Sequence, residues 1–225
     1  MKTIIVFIIS LICFSAFAFP IPKENKVTFD VIRKNKIIGS VVSTFEKEAD
    51  NLLITTLVDI EVKVLFVSAY KFMQSTKETW KNDQFIKIDG HTDFEDDREY
   101  FIKGEDKDGN FIASGMDGEL ILDINILPLN YWNKDILKEK EVFDTQKGIV
   151  RKITVQRLDN EIIEIDNKEV ESEKFILDAT TNPKDIGPFP QYTLWYSKNG
   201  ELLKFKFINW KDKKEVTTKR NNWDQ

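Results

Sequence analysis

The chain has 225 residues, 41% hydrophobic and 32% charged, with 33 basic against 38 acidic side chains and a formal net charge of −5. Lysines and acids are interspersed with no basic stripe, which argues against a nucleic-acid partner or an anionic membrane surface, both of which need clustered cations. The length fits one large all-β domain more comfortably than two small ones.

At the start, Lys2 precedes the apolar run Ile4 to Phe17, and Ala16-Phe17-Ala18 has the small-x-small pattern that a signal peptidase accepts. The run falls short of the about 20 residues that cross a bilayer, so 1–18 reads as a cleaved signal peptide and 19–225 as a single all-β domain, periplasmic or secreted. The only cysteine, Cys13, lies in that leader, which leaves the mature chain without a disulfide in an oxidising compartment. Ile12 stands where a lipidated cysteine needs a small neighbour, so a lipid anchor is not expected. Without Lys2 the net charge is −6. No later apolar stretch reaches membrane length, so no integral membrane segment is expected after signal cleavage.

From Val27 onward, short alternating runs rich in Val, Ile, Thr, Phe, Tyr and Trp predict strands, punctuated by Asn, Asp and Gly. Val27 to Arg33 and Ile37 to Glu46 flank Lys34-Asn35-Lys36 as a hairpin. A third strand begins near Leu52 and runs through Val64. The next alternates so that Tyr70, Phe72, Gln74, Thr76, Glu78 and Trp80 share one side. Asn82-Asp83 turns the chain into Phe85 to Ile88, and Asp89-Gly90 reads as a further turn. Strands follow at Glu99 to Lys103, Phe111 to Ala113 and Glu119 to Asp123.

Asn130 to Lys138 is the one helical stretch, with Asn130 as its cap and Ile136 and Leu137 facing the core. Later strands fall at Ile149 to Leu158, Glu161 to Ile165, Val170 to Ala179, Tyr192 to Ser197, Leu202 to Trp210 and Glu215 to Lys219. Thr180 to Pro190 holds Pro183, Gly187, Pro188 and Pro190 and must be a loop. Asp108-Gly109, Asp117-Gly118 and Asn199-Gly200 tolerate the positive φ of tight hairpins. The fold expected is an all-β, strongly curved antiparallel meander, a half-barrel or β-roll, with one short helix near 130–138.

Chemistry-bearing patterns are few. His91 is the only histidine, and neither Ser114-Gly115 nor any other serine has the flanking glycines of a nucleophile elbow. The acids Asp93, Glu95, Asp96, Asp97 and Glu99 would split between two faces of a strand and read as a solvated turn rather than a cation site. Asp106 to Asn110 resembles a calcium loop until it is aligned, when Gly104 and Gly115 fall where carboxylates are required. No metal and no cofactor is therefore expected. Aromatic residues are the remaining signal. Most fill the concave side of a curved sheet, while Tyr70, Trp80, Tyr131, Trp132, Trp195 and Tyr196, which carry polar handles, are the candidates for lining a ligand site.

Phe29-Asp30-Val31 leading to Ile38-Gly39, Val62 to Phe66 with Ala69-Tyr70, and Glu78-Thr79-Trp80 form an ordered set. Tyr131-Trp132-Asn133, Asp144-Thr145 with Gly148, and Leu194-Trp195-Tyr196 before Gly200 complete it. In this order the chain resembles an uncharacterised family of exported bacterial proteins built around a domain of unknown function. The resemblance implies a curved antiparallel β architecture in the cell envelope and carries no catalytic residue over. Relatives often place Asn-Gly where this chain has Asp96-Asp97.

The leading expectation is a non-catalytic envelope protein that binds an apolar ligand or a protein partner. A hydrolase of envelope material using His91 as general base, with carboxylates orienting it, is the alternative. A purely structural assembly subunit is a third.

Overall fold

The alternation of branched and aromatic residues with polar ones builds one sheet. The computed structural model describes residues 20–64, 67–94 and 98–223. The leader 1–18 with Cys13, the Leu65-Phe66 pair and the acids Glu95, Asp96 and Asp97 lie outside the described residues.

Eight strands run as a meander: β1 (Lys26–Arg33), β2 (Lys36–Glu48), β3 (Asn51–Val64), β4 (Val67–Lys81), β5 (Gln84–Asp93), β6 (Glu99–Lys107), β7 (Asn110–Gly115) and β8 (Gly118–Asp123). Three of their hairpins close on two residues that both adopt positive φ: Lys34-Asn35, Asn82-Asp83 and Asp108-Gly109. That geometry matches the right-handed twist of the flanking strands. The second half comprises β9 (Leu127–Pro128), β10 (Glu141–Asp144), β11 (Ile149–Arg157), β12 (Glu161–Ile165), β13 (Lys168–Ala179), β14 (Tyr192–Ser197), β15 (Leu202–Ile208) and β16 (Glu215–Arg220).

From one edge the order is β8 to β1 in descending sequence, then β16, β15, β14, β13, β11, β10 and β9, with β12 branching off β13. All described pairings are antiparallel except that of β9 with β10. The 16-stranded sheet curves strongly and is not closed. Register shifts at Val31/Ile32, Val62/Lys63, Thr79/Trp80 and Trp195/Tyr196 mark irregularities of the kind that bend and twist strands. The two ends of the curl still meet. The Met116 amide donates to the Lys147 carbonyl at 2.7 Å, and Asp117 accepts from the Asn182 amide at 2.9 Å and pairs with Lys184 at 2.8 Å.

The inside of the curl is the main core, with Trp80, Phe85, Phe111, Phe143 and Ile136 fully buried. The rings pack edge-on or tilted, Phe85 to Phe111 at 4.8 Å and Trp80 to Trp132 at 5.5 Å, as aromatic quadrupoles prefer. A second cluster lies on the opposite face of the sheet. There the β12–β13 hairpin contributes Ile163, Ile165 and Val170, which cover Trp195, Leu203 and Trp223.

Three expectations need correction. Asp89-Gly90 is not a turn, because β5 continues through it to Asp93. Gly90 has no positive φ, and a Cβ there would lie at ordinary contact distance from Thr76 Cγ2 (3.4 Å) and Ile102 Cβ (3.5 Å), so the residue continues the strand rather than reversing it. The helical stretch is a 3-10 turn over Lys134–Lys138 capped by Asn133, whose side chain accepts from the Asp135 amide at 3.0 Å. Asn130 lies outside it. Finally, β9 and β10 were not foreseen, although Val142 and Phe143 are wholly buried.

Candidate ligand-binding cavity

Strand β4 supplies the floor of the site. Its inward row, Phe72, Gln74, Thr76, Glu78 and Trp80, is buried, and Tyr70 at the row's end is exposed. Facing this row, the curl leaves a cavity of about 350 Å³ walled by Phe29, Val31, Val41, Val58, Phe205 and Phe207. That volume falls within the ~300–1,000 Å³ of small-molecule sites. Lining residues extend along β4 from Glu78 to Tyr70, about 26 Å at the ~3.3 Å rise of a strand, so the space is long and narrow.

The segment Leu129 to Trp132 crosses the inner end, with Tyr131 at φ +56°. The Tyr196 hydroxyl donates to the Tyr131 carbonyl at 2.7 Å, and the Tyr131 ring packs on Tyr192 and Phe205 at 4.9 and 5.3 Å. Burial pushes the Tyr131 phenol well above its ordinary range and that of Tyr192 to about 12, so both remain neutral donors.

Glu78 breaks the apolar character of this end. It is 2% exposed; Trp80 Nε1 donates to its Oε2 at 3.0 Å, and Asn130 Nδ2 reaches Oε2 at 3.1 Å and Oε1 at 3.3 Å. Burial pushes its carboxyl up to about 7, and those two neutral donors only partly oppose the shift. Nearby, Ser43 and Thr56 share a hydrogen bond of 2.8 Å across β2 and β3, and Gln74 donates to the Thr145 carbonyl at 3.2 Å. A strip of polar groups thus runs through an otherwise apolar slot.

The loop Thr180 to Pro190 flanks the outer end, with Asp185 to Pro190 in the lining beside Tyr70. Arg151 of β11 donates to Asp144 at 2.5 Å, to both oxygens of Asp185 at 2.9 and 3.2 Å and to the Thr180 carbonyl at 2.8 Å. Its guanidinium lies 4.7 Å from the centre of the Phe189 ring. Lys147 also pairs with Asp185. Burial alone would raise the Asp185 carboxyl, but the hydrogen bonds from Arg151 and Lys147 outweigh it and hold the group down to about 2. Gly187, at φ +86°, lies flat on Trp210, where a side chain would strike the indole at 2.3 Å.

Of the aromatic candidates, Tyr70, Tyr131 and Trp132 line the cavity. Trp80 stands behind it, holding Glu78 and packing on Phe85 at 5.3 Å. Tyr196 braces Tyr131 from outside the lining. Trp195 lies on the opposite face, its Nε1 donating to Glu161 at 3.1 Å and Lys204 Nζ sitting 4.5 Å from its ring centre. His91 is on the outer side of β5, 41% exposed, bonded to Glu99 at 2.8 Å and stacked on Phe101 at 4.6 Å. Sequence reasoning missed Glu78, Gln74, Arg151 and Asp185. The usable signal was an acid and an amide in register with Phe72 and Trp80.

Among the described residues, no group of three or more His, Cys, Asp or Glu side chains is placed to hold a metal ion. None of their helices is long and apolar enough to cross a membrane. The profile of a family described as "Domain of unknown function (DUF6134)" matches residues 29–218. The chain belongs to this family. Its match takes in β4, the 129–132 segment and the Arg151 cluster, so this DUF6134 domain contains nearly the whole cavity wall. A comparison with curated proteins finds no match. Among solved structures, the beta-barrel-like protein of domain of unknown function DUF1849 from Brucella abortus is similar, with a TM-score of 0.61 at 12% identity over 89% of this chain and 98% of the other. At that identity the likeness is one of fold.

Proposed function

We propose that this protein is an exported, soluble envelope protein that carries an elongated apolar ligand in the cavity and performs no chemistry on it. The observation that supports this reading is the long, apolar-walled slot of about 350 Å³ between the β4 row and the Arg151-tied loop. Export is supported by the leader pattern in 1–18, and solubility by the charged outer face and net charge. The slot favours a small ligand over a protein partner. A hydrolase built on His91 fits less well, because that imidazole sits on the far side of the sheet in an exposed pair with Glu99.

The test has two arms. Native mass spectrometry of protein recovered from its own envelope should show a chain beginning at Phe19 with added mass that organic solvent removes. In the second arm, an environment-sensitive naphthylamine probe should bind the stripped protein and be excluded by Val58→Trp, since Val58 lines the slot beside Val41, its register partner on the adjacent strand. A bare chain in the first arm and equal probe binding by the variant in the second would refute the reading.

A further inference from the structure

The cavity's inner end holds an acid that, among the described residues, no cation neutralises. Glu78 is buried there and meets two neutral donors, Trp80 Nε1 and Asn130 Nδ2; among the described residues it has no cationic partner. Its Oε2 accepts both short hydrogen bonds, while Oε1 has only the 3.3 Å contact, which leaves acceptor capacity on a carboxyl that lines the slot. An ionised carboxylate in such a place needs a compensating donor or cation. Every other buried acid described along this lining is already neutralised: Asp144 and Asp185 both by Arg151.

We propose that the ligand is an apolar chain ending in a hydrogen-bond-donating head group, a primary amine above all, which enters head first and is received by Glu78. This rests on the binding reading above and assigns the class of ligand. The long slot then holds the tail, with the Tyr70 end at the opening. A carboxylate head would place two acids together and be rejected by repulsion and desolvation. A hydroxyl head would donate one neutral hydrogen bond and bind between the two. Asn130 couples the head group to the 129–132 segment, because the amide that holds Glu78 also accepts the Asn133 amide at 3.4 Å.

The raised affinity of Glu78 for its proton adds a second handle. Amine binding strengthens as pH rises toward and past about 7, where the carboxyl ionises. Around the slot, Tyr131 and Tyr192 stay neutral in that range, Asp185 stays ionised and Arg151 stays charged.

The experiment is displacement of the naphthylamine probe from full-length stripped protein by dodecylamine, dodecanol and dodecanoate, each below its micelle concentration, at pH 5.5 and pH 8. At pH 8 the amine should compete at least about tenfold better than dodecanoate, the order expected of one charge-assisted hydrogen bond in a dry site, and the gap should narrow at pH 5.5. Glu78→Gln, with each competition referred to the variant's own measured probe affinity, should reduce the gap to within about threefold. Dodecanoate equal to the amine in the native protein, or an unchanged order in Glu78→Gln, overturns the head-group inference while leaving the cavity reading intact. If neither the probe nor any of the three chains binds, both fall. The native-protein pH series stands alone if the variant fails to fold.

Discussion

The backbones of Gly115 and Gly148 touch where the two ends of the curled sheet meet. A Cβ on Gly115 would lie 2.5 Å from Gly148 Cα, and one on Gly148 would lie 2.7 Å from Gly115 Cα. Only hydrogen fits between them. Gly115→Ala should therefore spread the seam, strain the Met116–Lys147 hydrogen bond and destabilise the protein by about 1–3 kcal/mol, measured as a lower urea midpoint. Gly148→Ala should cost more, because φ +67° adds backbone strain to the clash.

Glu78 should make stability fall as pH rises. Its folded-state carboxyl is raised from 4.5 to about 7, so the folded chain holds a proton that the unfolded chain has released across that interval. The contribution is fully present below about pH 4.5 and is lost by about pH 7, at most about 3 kcal/mol by linkage. Glu78→Gln keeps the acceptor oxygen without the charge. Urea melts across this range should show a flatter pH dependence for the variant and greater stability than the native protein at pH 8.

Arg151 compensates two buried acids, so Arg151→Met should be more harmful than loss of an ordinary surface cation. Leaving Asp144 and Asp185 unpaired should cost about 3–5 kcal/mol and loosen the Thr180 to Pro190 loop, seen as faster proteolysis there. In the native protein the Asp185 contribution has the opposite sign to that of Glu78. Its carboxyl is depressed from 3.8 to about 2, so the stabilisation is present above pH 3.8 and disappears as pH falls through about 2.

His91→Ala should change little. The imidazole and Glu99 are both largely exposed, at 41% and 52%, and such pairs contribute about 0–1 kcal/mol. Probe binding should match that of the native protein, because the ring is on the other side of the sheet from the slot. A loss of the gene's cellular phenotype with unchanged folding would revive the hydrolase alternative.

The alternation of β4 made its inward row legible from the sequence, and the Asp108-Gly109 turn followed from residues that accept positive φ. What escaped has identifiable causes. The sequence places Glu78 on the row of Phe72 and Trp80 without marking it as buried, because a period of two assigns a face without saying that the face is closed on all sides. Trp195 was grouped with the inward aromatics, yet β14 is covered on both faces, the outer one by the β12–β13 hairpin, which local spacing does not reveal. Arg151, Asp144 and Asp185 come together from β10, β11 and a loop more than 30 residues later, a juxtaposition set by tertiary pairing. The parallel contact of β9 with β10 spans two residues and leaves no periodic trace.

Because β1 pairs with β16, the earliest and latest strands of the described chain lie side by side in the middle of the sheet rather than at its rims. Premature termination before Glu215 would accordingly remove a central rung. It would leave two half-sheets, β1 to β8 and β9 to β15, each with a freshly bared row of amides and carbonyls open to pairing with other molecules. During synthesis all sixteen strands must leave the ribosome before the halves can be joined, so the arc stays exposed to aggregation until β16 has emerged.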